Sequence, residues 1–231
     1  MESRPPAIDL PGDMVFLALS GSHAYGLATP GSDEDWRGVF QASTPALLGF
    51  TRVPETVTAL PDITCWELGH FCRMLLRGNP NIIELLWLEP RFIATTSPVI
   101  TRLRDLRSEL LSAPMSEAYF GWIKREYLEI TDPTKPGLDA RLESKRASHL
   151  VRLLFSFRHA VRDHRLVVTL TGDEREMTYA VKRGKMKAAD VLRLLDDLTA
   201  ECRTLYAADP FAAPPTARVE RILLDARAEK M

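Results

Sequence analysis

Two short stretches of the chain hold residue types suited to chemistry on phosphates. They are Gly21-Ser-His-Ala-Tyr-Gly26 and Ser32-Asp-Glu-Asp-Trp-Arg37. A glycine–serine turn that follows a buried strand and opens a helix offers backbone N–H groups to phosphate oxygens. Asp33 and Asp35 stand two residues apart, and on a strand such residues face the same way. The spacing aims both carboxylates at one spot beside the turn. Magnesium takes oxygen ligands, commonly one or two carboxylates completed by substrate phosphates, and manganese accepts a similar set. Gly21, Ser22, Asp33 and Asp35 thus read as a divalent-cation site next to a phosphate cradle. An isolated Asp-x-Asp is an ordinary acidic turn; the preceding strand and turn give this one its meaning.

The elements that must position these residues are legible upstream and downstream. Met14-Val-Phe-Leu-Ala-Leu19 reads as a buried strand, closed by small residues that permit a tight turn. A short helix is predicted from His23 to about Leu27, and a second strand over Asp35–Phe40. Thr56 to Cys65 is rich in β-branched residues and reads as a strand. From Trp66 to Arg77 the periodicity turns helical and stops at Gly78. Asn79-Pro80 starts another helix, with Asn79 as cap and Pro80 in the first turn. Beyond it, helices are expected over 97–111, 115–129, 139–164, 187–207 and 215–229. Asp132–Gly137 reads as a loop, Leu166–Tyr179 as a small hairpin broken at Gly172-Asp173, and Ala207–Thr216 as a linker. The expected organisation is a core over 1–95 and a mainly helical domain over 96–231.

These phrases resemble the DNA polymerase β-type nucleotidyltransferase superfamily, whose pattern is a Gly-Ser turn followed by Asp-x-Asp. More narrowly, the chain resembles the RNA-ligase-associated predicted nucleotidyltransferases. Supporting phrases are Ser32–Val39, Arg77-Gly-Asn-Pro80 with Glu84-Leu-Leu86, and Lys145-Arg-Ala-Ser-His149 with Arg152-Leu-Leu154. The resemblance implies an α+β fold: a polymerase β-type α/β core with a small mixed sheet, followed by a mainly helical C-terminal region. It implies metal-dependent transfer of a nucleoside monophosphate from an NTP to an acceptor hydroxyl, with release of pyrophosphate. The superfamily uses three carboxylates on two metal ions. Asp33 and Asp35 match the pair, and Asp62, in Leu60-Pro-Asp-Ile-Thr64, fits best as the third, with Glu55 and Glu67 as rivals. Asp62 would act as general base or hold the nucleophile-activating metal.

Around this centre, Ser22 would offer its hydroxyl and N–H to phosphates, or cap a helix, or both. Arg37 would touch a phosphate or pair with Glu34 or another carboxylate. Tyr25 reads mainly as packing, and His23 as a neighbour of the phosphates at most. The Asn79–Leu86 phrase reads as structural, and Trp66, Phe71 and Trp87 as core. A second constellation lies at 139–164, where Arg141, Lys145, His149, Arg152 and Ser156 fall on one stripe of a helix. Ala147, Leu150, Val151, Leu154, Phe157 and Val161 occupy the other face. Such a stripe is either a solvated helix face or a clamp that neutralises triphosphate charge, with Lys145, His149 and Arg152 as nucleotide-binding residues.

Composition bounds the rest. The chain has 231 residues, with Lys plus Arg at 30 against Asp plus Glu at 31 for a net charge of −1. That balance argues against a uniformly basic nucleic-acid coat but leaves room for a local basic cleft. Hydrophobic residues at 45% suffice for a core and exclude general disorder. Cys65, Cys72 and Cys202 are too scattered for a disulfide framework or a zinc knuckle and read as buried thiols in a reducing compartment. No apolar run reaches membrane length, and no targeting segment is visible, so a cytoplasmic protein is expected. The expected partners are an NTP, an RNA or tRNA end as acceptor, and functional association with an RNA ligase. RNA contact is expected near Lys124, Arg125, Lys145, Arg146 and Arg152. A protein or small-molecule acceptor, or a nucleotide-sensing module without activity, are the alternatives.

Overall fold

The computed structural model describes residues 8–50, 52–59, 62–131 and 140–230, with only the backbone described at 131 and 140–143. Leu60, Pro61, the Asp132–Gly137 loop, most of the N-terminal arm and the side chain of Arg141 fall outside the description. The chain forms two compact units. Unit 1 comprises Met1–Leu110 with Pro214–Met231, and unit 2 comprises Leu111–Ala213.

Unit 1 is built on a five-stranded sheet of order β3-β4-β2-β1-β5. The strands are β1 (Asp13–Leu19), β2 (Trp36–Gln41), β3 (Thr56–Ala59), β4 (Ile63–Glu67) and β5 (Ile93–Thr95). β1 runs antiparallel to β2 and to β5, β2 parallel to β4, and β3 antiparallel to β4. The mixed sheet with following helices is the α+β architecture that the resemblance implies. One face buries Leu17, Leu19, Trp36, Phe40, Ile63 and Cys65. Each large apolar side chain so buried is worth about 1.5–3 kcal/mol, and these come from β1, β2 and β4 alike. A one-residue slip would turn this set to the opposite face, so the core pins the register that places Trp36 beside Leu19 and Ile63.

Helix α1 (Gly21–Ala24) begins two residues before the sequence expectation, because Gly21 itself takes the first turn at φ 61°. The strand expected over Thr56–Cys65 is two strands, β3 and β4, paired as a hairpin. Two elements escaped the sequence reading. Helix α2 (Thr44–Leu48) is capped by Ser43 with Pro45 in its first turn, and β5 is only three residues long. α3 (Leu68–Leu76) packs on β2 and β4, and α4 (Pro80–Ile83) runs into a 3-10 turn, Glu84–Trp87. Asn79 caps α4 through its side chain, as expected. α5 (Pro98–Asp105) packs against β1, and α10 (Thr216–Ala228) packs on both α3 and α5. Buried Glu67 fixes α10 in place by accepting a hydrogen bond from Arg227, while its other oxygen takes the Gly69 N–H at 2.6 Å.

Unit 2 contains α6 (Ala113–Thr131), α7 (Ala140–Asp163), α8 (Gly172–Lys182) and α9 (Ala188–Ala208). α7 is central: α6, α8 and α9 all pack on it. The hairpin expected over Leu166–Tyr179 does not form. Leu166, Val168 and Leu170 are buried in strand-like alternation, but among the described residues this segment pairs with no strand. Its carbonyl at Val167 instead takes the Ser156 hydroxyl at 2.6 Å. Gly172-Asp173 is not a hairpin turn but the start of α8, whose first turn carries Asp173 and Glu174 at the end that favours acids. All three cysteines are free and buried. Burial pushes the thiol of Cys65 up to about 11 and those of Cys72 and Cys202 to about 12.

Candidate active site

The site grows out of the end of β1. The Ser20 N–H donates to the Asp35 carbonyl at 2.7 Å, extending the β1–β2 ladder by one residue. The Trp36 N–H donates to the Asp62 carbonyl at 2.9 Å, extending the β2–β4 ladder in the same way. The backbones of Gly21, Asp35 and Asp62 are thereby held at one end of the three central strands.

Gly21 is the tightest point. A Cβ placed on it would lie 1.9 Å from the Asp35 Oδ2 and 2.7 Å from its Cγ. The Asp35 carboxylate therefore rests directly against the α-carbon of the turn, a place only glycine leaves open. The positive φ asks for glycine a second time. Ser20, not Ser22, is the N-cap of α1, and its side chain makes no capping bond. Ser22 lies within the four-residue helix, half-buried, and its carbonyl takes the Leu27 N–H at 2.9 Å. The expected capping role for Ser22 is not observed, and so short a helix adds little dipole.

Asp33 and Asp35 lie in the lead-in to β2 rather than on the strand itself. Asp35 is half-buried, and Asp33 is exposed. Arg37 pairs with Asp35, its Nη2 donating to Oδ1 at 3.2 Å, and its Nη1 donates to the carbonyls of Trp36 and Asp62 at 3.0 and 3.1 Å. Its carboxylate partner is thus Asp35 and not Glu34, which accepts the Trp36 indole N–H at 3.3 Å. Asp62 is exposed immediately before β4. Its two rivals are committed elsewhere. Glu55 pairs with Arg73 and with His70, and Glu67 sits at the far end of β4 with Arg227.

Two contacts that periodicity did not disclose hold the turn in place. The Tyr25 hydroxyl donates to the Glu84 Oε1 at 2.8 Å, and Glu84 is 2% exposed. Tyr25 is thus a polar anchor and not only packing, and Glu84 is a buried carboxylate in the 3-10 turn. The signal was present only as a glutamate inside an apolar helical run, Ile82-Ile-Glu-Leu-Leu86. His23 Nε2 meets the Ser32 carbonyl at 3.3 Å, tying α1 to the loop that carries Asp33.

In unit 2, Lys145, His149 and Arg152 follow one another along α7. Lys145 is exposed, His149 half-buried, and Arg152 wholly buried, as is Ser156. Along the described part of the stripe exposure falls from Lys145 to Arg152 and Ser156, so only its N-terminal end is solvated; α6, α8 and α9 all pack on α7. The His149 ring lies 5.2 Å from that of Trp122. Burial above all, then the charges of Arg152 and Lys145, push its pKa down to about 3. The ring is accordingly neutral at pH 7 and can exchange hydrogen bonds, but adds no positive charge to a clamp.

Among the described residues, no three His, Cys, Asp or Glu side chains stand close enough to enclose a metal ion by themselves. The donor set at this end of the sheet is all oxygen, and it stands beside a turn stripped of side-chain bulk. Those residues fit a hard divalent cation held by one or two carboxylates and completed by substrate oxygens.

No curated protein and no solved structure matches the chain significantly. The sequence model of the RNA repair pathway DNA polymerase beta family matches residues 8–195, from the lead into β1 to the first half of α9. That span takes in the Gly-Ser turn, all three candidate aspartates and the α7 cluster, and the chain belongs to the RNA repair pathway DNA polymerase beta family.

Proposed function

We propose that the protein transfers a nucleoside monophosphate from an NTP to the hydroxyl of an acceptor, an RNA or tRNA end, with release of pyrophosphate. The reading rests above all on the contact between Gly21 and Asp35. That contact sets a carboxylate against the glycine of a candidate phosphate-binding turn, in a chain that belongs to a polymerase β-type family.

Asp35, Asp33 and Asp62 are the residues that would hold Mg²⁺ or Mn²⁺. When bound, the cation would supply charge neutralisation at the triphosphate and lower the pKa of the attacking hydroxyl. The chain's own part is positional. The open turn at Gly21 and the Ser22 hydroxyl receive phosphate oxygens. Asp62, exposed immediately before β4, would take up the proton of the acceptor hydroxyl. Arg37 holds Asp35 in its resting orientation and is close enough to exchange that carboxylate for a phosphate.

The test is label transfer from α-³²P-NTPs to RNA, with Mg²⁺ or Mn²⁺, for the wild type and for Asp35→Asn. Removing a carboxylate that would hold the charge-neutralising cation should cost about 10²–10³ in rate. Because the Asp35–Arg37 pair is about one-third exposed, the same variant should change stability by only about 0–1 kcal/mol. Transfer to RNA at an undiminished rate by Asp35→Asn would sink this assignment. Transfer to protein or a small molecule instead would keep the chemistry and replace the acceptor.

A further inference from the structure

We propose that one face of unit 2, formed by α8 and the turn into α9, is a docking surface for the sugar-phosphate backbone of an RNA strand. The proposal deepens the nucleotidyl-transfer reading and rests on it for the identity of the strand; the surface itself is argued from its own residues.

Arg175, Tyr179 and Arg183 recur at every fourth position of α8 and so share one side of it. Both guanidinium groups lie over the tyrosine ring, 5.3 and 4.3 Å from its centroid, and Arg183 Nη2 donates to the phenolic oxygen at 3.1 Å. With Lys185 they line a shallow groove of about 310 Å³. The chain runs on as Lys182-Arg183-Gly184-Lys185-Met186-Lys187, and from Met177 to Ala189 it holds no acidic residue. Glu176 also lines the groove, and its carboxylate is bonded to Arg175 at 2.6 Å. Lys145 of α7 adds to the field: burial and the Lys145 charge together hold the Lys182 ammonium below its usual pKa.

Helix electrostatics accounts for only part of this row. Lys182 and Arg183 close α8, where cations are favoured. Lys187 is the N-cap of α9, at the positive end of a 21-residue helix, and makes no side-chain capping bond. Lysine is neither a good N-cap nor a favourable charge there. Asp190 offsets it within the first turn, but that carboxylate also lies 4.0 Å from Arg193. A polyanion laid across the turn supplies what this end of α9 lacks.

The surface is preformed. Glu174 of α8 takes hydrogen bonds from Arg158 and His159 of α7, which fixes α8 against the central helix. Arginine planes stack on bases as they stack on tyrosine, and a cationic groove with an aromatic ring is the usual footing for single-stranded nucleic acid. Of the cations expected from sequence to meet RNA, Arg152 is buried and so unavailable to a strand.

The test is fluorescence anisotropy of a labelled single-stranded RNA of about 20 nucleotides, titrated with the full chain between about 50 and 200 mM salt. Each neutralised phosphate contributes roughly 0.7 to the log–log salt slope on a single strand. The exposed double variant Arg183→Ala with Lys185→Ala should lower the slope by about 1.4 and weaken low-salt binding about tenfold or more. Lys185→Glu with Lys187→Glu should weaken it further. Thermal stabilisation by NTP with Mg²⁺ should be unchanged in both. Wild-type affinity and slope in both variants would overturn the proposal, as would binding to phosphatidylserine vesicles with none to RNA. A protein that binds RNA through this row but transfers no label overturns the nucleotidyl-transfer reading and leaves the surface standing. One that labels a protein or small molecule and shows no salt-dependent RNA binding does the reverse.

Discussion

Substituting Gly21 by alanine tests the geometry at the heart of the site. Two penalties add. An alanine at φ 61° occupies the left-handed region at a cost of about 1–2 kcal/mol. Its Cβ would also lie 1.9 Å from the Asp35 Oδ2, 2.7 Å from Cγ and 2.8 Å from Cβ. Relieving an overlap of that kind by moving the neighbour costs about 1–3 kcal/mol. The single variant should therefore lose about 2–5 kcal/mol, and for a chain of this size each kcal/mol lowers Tm by about 2–4 °C. Asp35→Ala removes the two closest contacts and leaves the third. Because the contact with the residue-35 Cβ remains, Gly21→Ala should regain only part of the overlap cost in the Asp35→Ala background, about 0.5–2 kcal/mol, a coupling of the size expected for residues in contact. Thermal melts of the four proteins measure this cycle directly. Equal costs in the two backgrounds would mean that the carboxylate does not rest on the turn, and the argument for a joined cradle and metal carboxylate would go with it.

Two further outcomes are expected. Arg227→Ala should destabilise unit 1 by about 3 kcal/mol, because Glu67 is then left as a buried carboxylate without its cation; urea unfolding checks it, and a loss below about 1 kcal/mol would refute the burial argument. His149 should stay neutral in the folded protein well below its ordinary 6.5, since its folded value is about 3. The unfolded chain takes up a proton as pH falls through about 6.5 while the native ring does not. The stability this group contributes is thus fully present above that value and is lost towards pH 3, by up to about 1.4 kcal/mol per pH unit. Comparing wild type with His149→Phe in urea from neutral to mildly acid pH isolates that slope, and an NMR titration of the ring near its ordinary pKa would contradict the burial.

Much of the fold was readable because its signals are local. The apolar run at Met14–Leu19, the cap and proline at Asn79-Pro80, and the three- and four-residue periodicity of α3, α6, α7, α9 and α10 lie within a few residues of the structures they specify. Where the reading failed, the local signal was true but incomplete. Leu166, Val168 and Leu170 do alternate as a strand would, yet a ladder needs a second edge, and no local pattern reveals whether one is near. α7 has an apolar stripe, but the number of helices packed around it decides whether Arg152 meets solvent or core.

For the site, the residue types and their order were in the sequence: the Gly-Ser turn, Asp33 and Asp35, and Asp62 ahead of a strand. Those depend on chemistry and spacing, which a linear string carries. The contacts joining them were not. That Gly21 abuts Asp35 and that Arg37 spans Asp35 and the Asp62 carbonyl follow from the register of β1 on β2 and of β2 on β4, and that Tyr25 reaches Glu84 is a contact between elements 59 residues apart. Register is set by a shared core whose buried members come from β1, β2 and β4. The return of α10 to unit 1, held by Arg227 on Glu67 across 160 residues, is likewise a long-range packing event. The sequence by itself determined which atoms are available; only the tertiary structure decided which of them touch, because that depends on burial summed over residues far apart in the chain.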